Sequence, residues 1–197
     1  MYERTDRAMK TLLMTIRREF AKSRQMMAMD ELNVLQASKD LFSKLDQSNR
    51  TAFLKLARQR YADITGEEDE ETITLPWLLV ILLGYNPVTE YIYENEVTRK
   101  RERFAESMIS SANKLAVINR GMSLWMKQTE QYMVFVEDAA VLDGYKKTGV
   151  KKVRWVTQKD ERTCPVCGPM NGKIFSINKV PAKPHRNCRC YVVPVDK

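Results

Sequence analysis

The side chains able to do chemistry are concentrated at one end of the chain. All four cysteines of the 197-residue sequence fall between Cys164 and Cys190, the first 163 residues contain none, and the single histidine, His185, lies among them. The run Cys164-Pro-Val-Cys167-Gly sets two thiols two residues apart, with a proline between them and a glycine after. That composition favours the tight turn through which both thiolates converge on one ion. After an intervening 17 residues, His185 and Cys188 repeat the spacing and Cys190 follows. Cys164, Cys167, His185, Cys188 and Cys190 are therefore five candidates for a tetrahedral zinc site that needs four. In an extended segment Cys188 and Cys190 share a face but stand too far apart for both to reach one ion easily. The spacing from His185 favours Cys188, with Cys190 the alternative.

Other chemistries fit less well. A redox CxxC needs a helix directly after it to lower the first thiol's pKa, whereas Gly168-Pro-Met-Asn-Gly172 is turn chemistry. A disulfide framework would spread cysteines along the chain. A catalytic zinc keeps an open position with an acid or base nearby, and if His185 is a ligand no second histidine remains for general-base work or a hydrolytic triad. Asp160 and Glu161 read as hairpin and cap residues. The expectation is a structural zinc and no enzymatic activity.

The elements that must hold this cluster change period along the chain. Met9, Leu13, Ile16 and Phe20 lie at helical spacing within a basic amphipathic helix over residues 4–28. Asp30 caps a second helix through Leu32, Leu35, Leu41 and Leu45, and Ser48 or Asn49 a third through Phe53, Leu54, Leu56 and Tyr61. The acidic run Gly66–Glu71 reads as a solvated loop without the ligand spacing of a calcium site. Thr74 and Pro76 begin a short buried helix ending near Gly84, and Asn86-Pro87 repeats the start signal. A long helix then carries Phe104, Met108, Ala112, Leu115, Asn119, Met122 and Trp125 or Met126, and a further helical stretch, Tyr132 to Leu142, ends near Gly144 or Gly149. Beyond it Val153, Trp155 and Thr157 alternate as in a half-buried strand, Asn171-Gly172 signals a hairpin, and Cys190–Pro194 reads as a last strand. The fold class expected is α+β, mostly α: a helical region over 1–148 and a β module over 149–197, small enough to need a staple.

The formal charge of +8 is unevenly spread. Residues 1–60 carry about +6, residues 61–98 about −9 and residues 151–197 about +8, so both ends suit an anionic partner. Lys151, Lys152, Arg154, Lys159, Arg186 and Arg189 are the candidate contacts to nucleic acid, which would give steep salt dependence and little sequence preference. The longest apolar run, Leu75–Tyr85, is far short of the roughly 20 residues that span a bilayer. The charged first ten residues are unlike a signal peptide, and the expectation is a product of a reducing cytoplasm.

From Gln128 to Val195 the sequence resembles the head-morphogenesis domain of the Mu F-like minor head proteins of tailed phages. The resemblance rests on Thr129-Glu130, Gly149, Trp155, Thr157, Asp160, Arg162, Cys164 and Cys167. It continues through Gly172 and Phe175 to the closing His185, Asn187, Cys188, Arg189 and Cys190. Gln128 stands where an arginine commonly precedes the Thr-Glu pair, and Arg186 stands where a proline commonly follows the histidine. The resemblance implies a non-enzymatic virion component, made in the host bacterial cytoplasm and placed in the capsid interior or at the portal vertex in several copies. It implies the portal protein as partner, with scaffold, major capsid protein and packaged DNA as further candidates. The roles implied are procapsid assembly, DNA packaging or genome delivery.

Overall fold

A computed structural model describes residues 3–67, 73–76, 78, 85–86, 91–158, 165–184, 188 and 190–195. The fold is α+β and mostly helical. Its long helices are α1 (Glu3–Lys22), α2 (Glu31–Thr65), α3 (Tyr93–Ser110) and α4 (Lys114–Lys147), and a short two-stranded ribbon of β1 (Tyr85–Asn86) and β2 (Tyr91–Ile92) precedes α3. A three-stranded antiparallel sheet of β3 (Lys152–Val156), β4 (Ile174–Ser176) and β5 (Tyr191–Pro194) follows α4, with β3 in the middle. Among the described residues no helix is long and apolar enough to cross a membrane.

Several local signals act as expected. Asp30 caps α2, its Oδ1 accepting the Asn33 N–H at 2.9 Å. At the end of α4, Gly149 takes φ +82°, the left-handed conformation a side chain would disfavour. Other expectations are corrected. Ser48 and Asn49 begin no helix, because α2 runs unbroken through them: Ser48 Oγ donates back to the Lys44 carbonyl at 2.9 Å, and Asn49 is wholly buried. The amphipathic segment over 4–28 is α1 followed by a 3₁₀ turn, Ser23–Ala28. The single long helix expected through Phe104 and Trp125 is broken at residues 111–113, where Asn113 Oδ1 accepts the Ala116 N–H at 3.0 Å and restarts the chain as α4. That second helix absorbs the separate stretch expected at Tyr132–Leu142, and Gly144 lies inside it, close against Ile64 of α2. Asn86 pairs with Tyr91 in the ribbon instead of opening a helix. Most of the short helix expected after Thr74, and residues 68–71 of the acidic run, lie outside the described residues.

The four long helices share one core. Phe42 of α2 is its centre, meeting Phe20 of α1 at 6.2 Å, Phe104 of α3 at 5.5 Å and Trp125 of α4 at 5.3 Å between ring centroids. One polar knot crosses this core. Asn49 Nδ2 donates to Thr129 Oγ1 at 3.0 Å and to Tyr93 Oη at 3.2 Å, while Thr129 Oγ1 donates to Asn49 Oδ1 at 3.1 Å. Buried polar groups satisfied this way fix the register of α2, α3 and α4 against one another.

A second, smaller core lies under the sheet. Val153 and Trp155 point inward from β3 and meet Ile177, Val192 and three buried cysteines, and Leu142 and Tyr145 of α4 close it from the helical side. The last turns of α4 therefore belong to both cores.

Candidate metal centre

Three chain segments meet at the open end of the sheet. β3 stops at Val156, and the buried Thr157 just beyond it is a junction. Its Oγ1 donates to the Cys167 carbonyl at 2.7 Å, its N–H donates to Asn171 Oδ1 at 3.0 Å, and Cys190 Sγ stands 3.8 Å from its Oγ1. Asn171-Gly172, with Gly172 at φ +80°, then turns the chain into β4: the Gly172 N–H donates to the Trp155 carbonyl at 2.8 Å. The Asn-Gly signal thus closes a long excursion from β3 rather than a two-residue hairpin.

The three described cysteines come together. The sulfurs of Cys167, Cys188 and Cys190 all lie within 4.8 Å of one another, all three residues are buried, and none is in a disulfide. Cys167 Sγ and Cys188 Sγ are 3.6 Å apart. The edge of a tetrahedron with zinc–sulfur bonds of about 2.3 Å is about 3.8 Å, so this separation suits two thiolates on one ion. Both Cys188 and Cys190 join the cluster. The two cysteines, expected as alternatives, stand just ahead of β5, which begins at Tyr191. Cys164 and His185 lie outside the described residues, as do Lys159, Arg186 and Arg189.

The donor set fits a thiophilic cation. Burial pushes the Cys188 thiol above its ordinary range, which disfavours a thiolate standing alone in this cluster. A bound divalent cation reverses that preference by supplying the compensating charge. Cys167 is followed by a three-residue 3₁₀ turn, Gly168–Met170, and not by a helix whose N-terminus could lower its pKa as in redox motifs.

One lysine ties the ligand-bearing segment to the helical body. Lys183 Nζ donates to the carbonyls of Cys188, at 3.3 Å, and of Cys190, and it pairs with Asp138 Oδ2 of α4 at 2.9 Å. Nothing in the sequence marked its pairing with Asp138, since that contact joins positions far apart in the chain. Lys183→Met should lower zinc affinity about tenfold, the scale of lost outer-shell contacts at metal sites, as read by chelator competition. An unchanged affinity would mean that the cysteine segment positions itself.

Burial, offset in part by Lys183, lifts the Asp138 carboxyl to about 6. The folded chain therefore holds this proton more tightly than the unfolded chain, where the pKa is about 3.9. The contribution of Asp138 to stability is fully present below about pH 4 and is lost as pH rises through about 6. A carboxyl ¹³C titration should place its midpoint near 6, and a midpoint near 4 would mean that the group is better hydrated than its surroundings indicate.

A family model described as Phage Mu protein F like protein matches residues 95–193, half of the chain. The chain belongs to this family. No curated protein and no solved structure matches it. The family region of this Mu F-like protein starts within α3, includes all of α4 and reaches into β5, so it holds the cysteine cluster together with the helices beneath it. Thr129, part of the Thr-Glu pair, serves the interior as the partner of Asn49. Gln128, just before that pair, is buried with neither amide atom hydrogen-bonded. Thr157 is the hydrogen-bonding junction behind Cys167 and Cys190.

Proposed function

We propose that this Mu F-like chain, a phage head-related protein, is a non-enzymatic minor head protein that associates with the portal in the virion. On this reading it acts in procapsid assembly, DNA packaging or genome delivery, and its C-terminal module is held by one structural zinc ion. The observation that carries the reading is the family match, which joins two long helices and the cysteine-bearing sheet in one unit. Three buried thiols on converging segments support a metal with a closed shell, and Cys164 or His185 supplies the fourth ligand. The role of such an ion is to hold together a module whose own apolar core is small.

Particles assembled with and without the portal protein test the proposal. Mass spectrometry should find the chain in portal-containing heads at low copy and lose it in portal-less ones. Equal amounts in both would remove the portal association.

A second reading, a zinc-containing nucleic-acid-binding module, draws on the outer face of the sheet. Lys151, Lys152 and Arg154 are exposed there, and Lys173 and Lys179 are exposed on the adjoining segments. This reading requires salt-sensitive, sequence-independent DNA binding that Lys151→Glu/Lys152→Glu/Arg154→Glu weakens. A titration at low salt showing no binding to duplex or single-stranded DNA rules it out.

A further inference from the structure

A groove of about 920 Å³ runs between α1 and α2, outside the region the family model covers. Its walls are two helical rows. On α1 the lining runs from Arg7 to Lys22 in steps of three and four, and on α2 it runs from Lys44 to Gln59 in the same way. Each wall spans about 15 residues, or about 23 Å at 1.5 Å per residue. Two parallel ridges of that length form the surface onto which a third helix of about four turns packs lengthwise.

The chemistry of the groove selects the helix. Its floor is apolar, made of the half-buried Ala8 and Ala52 over the buried Leu12 and Leu56. Its rim is cationic, with Arg7, Arg18, Lys22, Lys44 and Lys55 exposed. The one carboxylate in the lining, Glu19, is already engaged, accepting from Lys22 at 2.7 Å with Arg18 at 3.7 Å. Among the described residues no carboxylate pairs with Arg7, Lys44 or Lys55. Nucleic acid fits this surface poorly: phosphates gain nothing from the apolar floor, and no lining residue is an aromatic platform for a base.

We infer that this groove is a docking site for an acidic amphipathic helix of a partner protein. The partner's apolar stripe lies over Ala8 and Ala52, above the buried Leu12 and Leu56, and its flanking carboxylates pair with Arg7, Lys44 and Lys55. This is the helix-in-groove mode, in which apolar side chains at helical spacing anchor the ligand and charge sets its orientation.

The test uses the full chain and a fluorescein-labelled amphipathic peptide of about 16 residues, with leucines at three- and four-residue spacing and glutamates on either side. Anisotropy should show saturable binding that weakens at least tenfold in Lys44→Glu/Lys55→Glu, a pair of exposed changes whose effect on folding circular dichroism can check. Replacing the peptide's glutamates by lysine, or scrambling its order, should weaken binding by at least about tenfold. Cys167→Ser/Cys188→Ser should leave the peptide affinity unchanged, which separates this site from the metal centre. Absence of binding, indifference to Lys44→Glu/Lys55→Glu, or displacement of the peptide by a short DNA duplex at equal concentration would each overturn the inference. Loss of portal association with peptide binding intact would leave it standing.

Discussion

Replacing two of the clustered thiols, Cys167→Ser/Cys188→Ser, should unfold the C-terminal module while the helical body stays folded. The small core under the sheet contains Val150, Val153, Trp155, Ile177 and Val192, with the cysteines themselves making up much of the rest. Each strand is short: β4 has three residues and β5 four. Apolar burial of that extent rarely outweighs the entropy of ordering some 45 residues, and a structural zinc ion contributes on the order of 10 kcal/mol where folding and binding are coupled. The double variant should therefore lose bound zinc and the protection of amides in β3, β4 and β5 from hydrogen exchange. Helical circular dichroism should be nearly unchanged, because the Phe42-centred core lies elsewhere. Retained protection in all three strands would mean that packing on Leu142 and Tyr145 holds the module without a metal.

Phe42→Ala should cost about 4 kcal/mol of stability, within the range for truncating a buried aromatic ring. Phe42 is 2 % exposed and touches a ring from each of the other three long helices, so its removal leaves a cavity that no single helix can close by moving. Chemical denaturation should show a midpoint shift with an unchanged slope. A loss below about 1 kcal/mol would mean that the bundle repacks more freely than its interlocked rings allow. Zinc retention should survive this substitution under native conditions, in contrast to the cysteine variant.

The two regions differed in how much their residues disclosed beforehand. Candidate metal ligands announce themselves by type and spacing, so the grouping of Cys167 with Cys188 was legible from the pairs Cys164–Cys167 and His185–Cys188, as was the inward alternation of Val153 and Trp155 from its period. Caps were legible where the chemistry was local, at Asp30 and Gly149. Asn49 shows the limit. An asparagine that could cap a helix locally is instead satisfied across the core by Thr129 and Tyr93, and only tertiary structure distinguishes the two uses. The break at residues 111–113 was hidden for the opposite reason, since Ala112 and Leu115 continue the apolar spacing through it, although Leu115 is 43 % exposed. The placement of Cys190 turned on where β5 begins, and strand boundaries are the least local feature of a short sheet. Lys183 and Asp138 meet across the two cores, so neither carried a signal of its own.

The most direct test of the central claim is the metal content of the full chain, purified under reducing conditions and measured by plasma mass spectrometry. The cluster of Cys167, Cys188 and Cys190 calls for one equivalent of zinc per chain, lost together with sheet protection when a strong chelator is added. A chain free of zinc whose sheet is nonetheless ordered would contradict it.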